Sequence, residues 1–275
     1  MSPDHMAFLA GLLKARSGLM LPLDKAYLVE TRLGPVARKE GFGSTVELIE
    51  VLRLRPTEAL AAAVTDAMSN TETWFFRDRT PFDQFRDEVL PALARARPGG
   101  TVRVWCAGVS TGQEAYSLAM LADEASGEFA DVGLQIVATD LSRRCLEKAH
   151  AGLYTQFEVQ RGLPIRLMVK HFGREEENWR ISARLRGAVR FRVANLLDDA
   201  SALGRFDAVF CRNVLSGFDE PTRSAVLERI AAQLADDGVL VLGAAETVHG
   251  LTDRLKPVPG RRGLYVQAHA RRAAA

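Results

Sequence analysis

Cysteine is scarce. Cys106, Cys145 and Cys211 form an odd set without C-x-x-C spacing, which excludes a disulfide framework. Cys106 and Cys211 lie in strand-like apolar runs and are expected to be small buried hydrophobes. The five histidines are scattered with no ligand spacing, so no structural metal site is expected. Apolar runs such as Gly238 to Ala245 are far too short to span a membrane. Neither sign of charge dominates. The 36 Lys and Arg and 34 Asp and Glu are interspersed and leave a net charge of +2, which excludes the strongly basic footprint of a nucleic-acid binder. The N-terminus MSPDHMAFLAGLLKARSGL carries acid ahead of a short apolar run, which argues against a signal peptide and predicts a cytoplasmic protein.

The chain has 275 residues, 47% hydrophobic and 25% charged, enough for one large or two modest soluble domains with a substantial core. Residues 1–80 show helical spacing throughout: Phe8, Leu9, Leu12 and Leu13; Tyr27, Leu28, Leu33 and Val36; Val46, Leu48, Ile49, Val51 and Leu52; Leu60, Val64 and Met68. Gly18, Gly41, Gly43 and Pro56 punctuate these runs, and Gly34-Pro35 is expected to bend or break the second. Residues 81–100 read as a connecting helix. From Thr101 strands and helices alternate, with strands at 101–107, 134–139, 206–211, 238–244 and 263–268 and helices near 112–126, 142–151 and 221–235. This rhythm predicts an α/β domain over 101–270 whose parallel sheet is covered on both faces. Short runs at 178–181 and 188–193 break it and read as a small antiparallel β insert at about 176–194. Arg271–Ala275 is of low complexity and expected to be disordered.

The most informative stretch is Arg103 to Glu114, an apolar strand running into a glycine turn that opens onto a helix. A second strand about 30 residues on ends in Asp140. A glycine turn lets a ligand approach the backbone, and a helix N-terminus offers unpaired N–H donors. An acid at the tip of the next strand suits ribose hydroxyls. Counted from Gly108, the G-x-G-x-x-G positions read Gly, Ser, Gln, which disfavours NAD and points to S-adenosylmethionine. An ordinary strand–turn–helix with a solvent-facing Asp is the alternative.

Four segments, in order, resemble the CheR-type chemotaxis receptor methyltransferases. Ser69-Asn-Thr-Glu-Thr-Trp-Phe-Phe-Arg-Asp78 is similar to the family's T-N-E-T-x-F-F-R-[DE], and Trp105 to Leu118 to its W-x-A-G-C-S-T-G-E-E-P-Y-S-L. Ala138-Thr-Asp-Leu141, with Leu146 to Ala149 and Gly152 to Tyr154, forms the third. The fourth joins Asn195-Leu-Leu197 to Phe210-Cys-Arg-Asn-Val-Leu215. The resemblance implies an all-helical N-terminal domain, a Rossmann-like seven-strand methyltransferase sheet and a three-stranded insert. It also implies S-adenosylmethionine as cofactor, S-adenosylhomocysteine as product, and transfer to glutamates of a chemoreceptor's helical bundle. A carboxylate acceptor is already ionised at neutral pH, its ordinary pKa being about 4.3, so no general base is required.

By the same resemblance Asp140 would bind the ribose hydroxyls, with Gly108 in the loop beneath. Glu114 would meet the cofactor's amino-acid end, although an acid there also suits the helix dipole. Asn195 and Leu196 would contact the adenine region, unless Asn195 only closes a turn. Arg212 and Asn213 follow a buried strand, where α/β ligands bind. Asn70 or Thr71, with Thr73 and Arg77, would reach the cofactor from the first domain, Arg77 offering a fork to its carboxylate. Arg77 and Arg212 are the nearest candidates for a catalytic role, and Trp74, Phe75 and Phe76 are expected in an interdomain core. The chain departs from the family at Thr71, Gln113, Ala115, Gly217 and Ala244. Lys25, Arg32 and Lys39, seven apart, would share a basic helical face that docks the receptor. The insert would suit a receptor's C-terminal peptide added as a strand. The rival readings are a methyltransferase of this fold with another carboxylate acceptor and a non-catalytic binding module.

Overall fold

A computed structural model of the protein describes residues 1–128 and 131–269, so the expectation for Arg271–Ala275 falls outside the described residues. Contacts divide the chain into two units: Met1–Asn70 with Gly217–Thr222, and Thr71–Ser216 with Arg223 onward. The first expected boundary, near residue 80, therefore falls ten residues earlier. The reason is packing: Phe75, Phe76, Phe82 and Phe85 are all buried in the core of the sheet-bearing unit.

The first unit holds α1 (Pro3–Ser17), α2 (Ala26–Lys39), α3 (Thr45–Leu54) and α4 (Glu58–Met68). Ser2, Ser44 and Thr57 cap the first, third and fourth through side-chain oxygens that accept from the first turn. Leu9, Leu13, Val29, Leu33, Leu48, Ile49 and Val64 form its core. The expected break in α2 does not occur: the helix continues through Pro35, with Val29, Leu33 and Ala37 buried on one face. One lost hydrogen bond is outweighed there by the anchored apolar stripe. The 217–222 segment joins this unit by backbone, Leu19 bridging Phe218 and Met20 N donating to Gly217 O at 2.9 Å. Lys14 pairs with Asp219 at 2.6 Å; with Thr222 it holds that carboxyl down at about 2.

The second unit begins with α5 (Thr80–Gln84), which passes through a π-helical stretch, Phe85–Val89, into α6 (Leu90–Arg95). The widened turn sits just before Pro91, whose ring would crowd a regular α-turn. Then follow β1 (Thr101–Ala107), α7 (Gln113–Ala125), β2 (Gly133–Asp140), α8 (Arg143–Ala151), β3 (Leu153–Thr155), α9 (Gln156–Gln160) and α10 (Ile165–His171). After β4 (Phe172–Glu175), β5 (Asn178–Ile181), α11 (Ala183–Ala188) and β6 (Val189–Val193) come β7 (Phe206–Cys211), α12 (Glu220–Gln233), β8 (Leu234–Leu242), β9 (Leu255–Pro257) and β10 (Leu264–Gln267).

Seven strands form one sheet in the order β6-β2-β1-β7-β8-β10-β9, parallel except for β10. Side chains alternate across it, so Val102, Val104 and Cys106 serve one face and Trp105 the other, where Trp105 stacks on Phe206 at 5.5 Å. Cys106 and Cys211 are buried, as expected, and so is Cys145; all three are free, and burial pushes the Cys106 and Cys211 thiols well up. The antiparallel insert takes other residues than expected. Its order is β3-β5-β4, so it spans 153–181, and β6 belongs to the main sheet, paired in parallel with β2 from Ile136↔Val189 to Asp140↔Val193. Alternating Arg190 and Arg192 mimic a half-exposed hairpin strand, whereas they mark the edge of a parallel sheet.

Candidate functional site

In this strand order the chain leaves β1 in one direction and β7 in the other, and the crevice at their C-terminal ends is where open α/β sheets bind ligands. Loops after β1, β2, β6, β7 and β8 therefore supply the site. After β1 the chain turns through Gly108, with φ of 77°, and Gly108 and Val109 both donate backbone N–H to Thr139 O at 2.9 Å. A side chain at Gly108 would stand 2.6 Å from Val214, and one at Gly112, with φ of 96°, 2.8 Å from Ala149. Only glycine lets the loop lie this close. Tyr154 of the insert donates to Thr111 O at 2.8 Å and ties the same loop down.

Asp140 ends β2. One carboxylate oxygen accepts from Ser110 N at 2.7 Å and the other from Ser142 N at 2.9 Å. Ser110 Oγ donates to Thr71 O at 2.8 Å, bringing the 71–78 segment to the glycine loop. Thr71, Thr73 and Arg77 are thus part of the sheet-bearing unit, while Asn70 is the last residue of the helical one. Phe75 and Phe76 are likewise not an interdomain core; Phe75 meets Tyr154 and Phe172 edge-on at 5.1 and 5.6 Å. The Arg77 and Arg161 guanidiniums both lie over the Trp74 ring, at 4.4 and 3.9 Å from its centroid.

The charged centre of the site is Arg212, whose side chain is 1% exposed. Its fork donates to Glu114 Oε2 at 3.0 Å, Asp78 Oδ2 at 2.8 Å and Arg77 O at 2.7 Å. Glu114 is buried, and desolvation raises its pKa against the opposing pull of Arg212. Asn213 adopts a left-handed φ of 61°, and its N–H donates to Glu246 at 2.8 Å. Six described non-glycine residues have left-handed φ, and all but Glu176 lie in these loops: Phe76, Asp78, Arg79, Ser110 and Asn213. Such strain gathers where surroundings hold a site in place.

Asn195 Oδ1 accepts from Leu197 N at 3.1 Å, so the residue does close a turn. Asn195 and Leu196 also line a cavity of about 240 Å³ together with Trp105, Asp199, Val226 and Ile230. Asp123, Glu124 and His171 stand close enough to share an ion. Their charge is already met by Lys170, Arg166 and Arg184, which pair with the two carboxylates.

Sequence reasoning missed Asp78, Ser110, Arg161 and Glu246. Glu246 had a signal, an acid three residues past a glycine at the end of an apolar strand. Three buried polar atoms on these loops, Arg77 Nε, Arg212 Nε and Asn213 Oδ1, have no hydrogen-bond partner among the described residues. Buried donors and acceptors are rarely left so, and this set suits a zwitterionic ligand with a carboxylate and an ammonium.

The strand order, the close glycine turn and the acid ending β2 define a Rossmann-like methyltransferase that uses S-adenosylmethionine. Residues 71–264 match the family described as "CheR methyltransferase, SAM binding domain", and residues 4–69 match "CheR methyltransferase, all-alpha domain". The chain belongs to the CheR methyltransferase family. It is 38% identical over 261 residues to chemotaxis protein methyltransferase Cher2 of Pseudomonas putida, covering 93% of this chain and 94% of that one. Chemotaxis protein methyltransferase 1 of Pseudomonas aeruginosa shows the same identity and coverage. The corresponding protein of Vibrio cholerae is 36% identical over 256 residues, covering 92% of each.

Proposed function

We propose that this chain esterifies glutamate side chains of chemoreceptors with methyl groups from S-adenosylmethionine, the adjustment step of chemotaxis. The observation that carries this reading is the buried Arg212 fork between Glu114 and Asp78, set beside Arg77 Nε and Asn213 Oδ1, which have no partner among the described residues, at the crevice of a methyltransferase sheet. Asp140 would hold the ribose hydroxyls, and Asn195 and Leu196 the adenine. Glu114 and Asn213 would face the ammonium and Arg77 the carboxylate of the amino-acid end, with Thr71, Thr73 and Gly108 shaping the approach. When bound, the cofactor supplies an electrophilic methyl on a sulfonium. The protein's part is to align the ionised acceptor and keep water out, which can lower a barrier by several kcal/mol, up to about 7–11 kcal/mol for an ideally held pair. No side chain need remove a proton.

The receptor is the partner, and its acidic helical methylation region would meet the helical unit at Lys25 and Lys39, both exposed. A receptor's C-terminal peptide would add to an outer strand of the insert, β3 or β4. No helix among the described residues is long and apolar enough to cross a membrane, and the proposal puts the protein at the cytoplasmic face of the receptor. Replacing Asp140 by Ala removes the ribose acceptor, and calorimetry should show S-adenosylhomocysteine binding weakened by about 1–3 kcal/mol. Wild-type affinity in that variant refutes the assignment.

A further inference from the structure

The mechanism leaves one well-connected carboxylate unused. Glu246 stands in the loop after β8, and its two oxygens gather three backbone N–H groups. Oε2 accepts from Asn213 N at 2.8 Å and Gly243 N at 2.9 Å, and Oε1 from Ser216 N at 3.2 Å. The loops after β7 and β8 are thereby fastened to each other through one side chain. Gly243 is shaped for this: a Cβ there would lie 2.8 Å from Glu246 Oε2 and 2.9 Å from Asn213 N.

What the carboxylate holds is a strained residue. Asn213 keeps its left-handed φ of 61°, a conformation that L residues other than glycine adopt only at a cost. Its backbone N–H is turned to Glu246, and its own Oδ1 is buried without a partner among the described residues. Relaxing the backbone would swing that carboxamide away from the crevice.

We propose that Glu246 is a positioning residue for methyl transfer: by holding the Asn213 backbone left-handed, it fixes the carboxamide that receives the cofactor's amino-acid end. This rests on the reading of Asn213 as a cofactor contact. The test is a double-mutant cycle on the full chain, with KM for S-adenosylmethionine and kcat measured on a receptor cytoplasmic fragment, and Kd for S-adenosylhomocysteine measured by calorimetry. Glu246→Ala should raise KM and Kd about tenfold or more with a smaller change in kcat, the mark of lost binding shared by ground and transition states. Glu246→Gln keeps one acceptor oxygen in the same shape and should recover part of the loss. It also keeps the test open if the Ala variant does not fold. Asn213→Gly takes up the left-handed turn unaided but has no carboxamide, so adding Glu246→Ala to it should cost less than about twofold further. Full additivity in the cycle, or wild-type KM in a folded Glu246→Ala, overturns the proposal. Failure of the wild-type protein to bind S-adenosylhomocysteine would instead overturn the underlying cofactor reading, and this proposal with it.

Discussion

Arg212 and Glu114 meet at 3.0 Å in a place that disfavours the carboxylate. Burial pushes the Glu114 carboxyl up, and only the charge and hydrogen bond of Arg212, helped by the charge of Arg77, resist that push. A folded pKa above the unfolded value means that the native state holds the proton to higher pH. The stability Glu114 contributes is therefore full below the ordinary value of about 4.3 and is lost as pH rises through the folded value. Ionised Glu114 is costly to the fold and useful to the site. Glu114→Gln should accordingly gain melting temperature relative to wild type between about pH 4.5 and about pH 7.5, while its affinity for S-adenosylhomocysteine drops. Thermal scans at both ends check this; a wild-type advantage that grows with pH contradicts it. Nothing in the residue string indicates this tension. The motif places Glu114 at a helix start, where the dipole favours an acid, and only the fold adds the burial that opposes it.

At the scale of elements, the glycine loop after β1 depends on backbone lying where no side chain fits. Gly112 has φ of 96°, and a methyl there would press on Ala149 of α8 and on the Tyr154 hydroxyl, which itself anchors Thr111. Gly112→Ala should cost about 1–3 kcal/mol in denaturant unfolding, more than a surface change. A loss within about 0.5 kcal/mol would show that the loop relaxes freely. The central strands were legible because β1, β7 and β8 carry buried apolar runs, Val104 to Ala107, Ala208 to Cys211 and Val239 to Leu242. Strand β6 was not, since Arg190 and Arg192 give it the alternation of a hairpin strand. The start of the sheet-bearing unit was also hidden. Residues 71–95 read as more of the helical region, and only the burial of Phe75, Phe82 and Phe85 shows which core they serve. Likewise the motifs pointed to Asp140, Arg212 and Asn213, while Asp78, Ser110 and Glu246 became visible only when distant loops met at one sheet edge.

At the scale of the whole molecule, the near balance of charge hides a local asymmetry. Of the expected docking triad Lys25, Arg32 and Lys39, Arg32 is not a solvated charge: its guanidinium bonds Met68 O at the end of α4. Reversing Arg32 would disturb the helical unit itself, so the docking face is better probed through exposed Lys25 and Lys39. Lys25→Glu with Lys39→Glu should raise KM for a receptor fragment and flatten its dependence on salt, leaving KM for cofactor alone. Removing the fragment's C-terminal peptide should raise receptor KM separately if the insert captures it. Receptor kinetics unchanged across salt in the double variant would sink the docking face.

The central claim is that an ionised glutamate on a receptor accepts the methyl group. It is tested most directly by incubating the protein with a receptor cytoplasmic fragment and methyl-labelled S-adenosylmethionine, then treating the product with base. Label on the receptor that leaves as methanol is the predicted result, because a glutamyl methyl ester is base-labile. Label that resists base, or tight cofactor binding with no transfer to the receptor, would contradict it and turn attention to another acceptor or to a binding role.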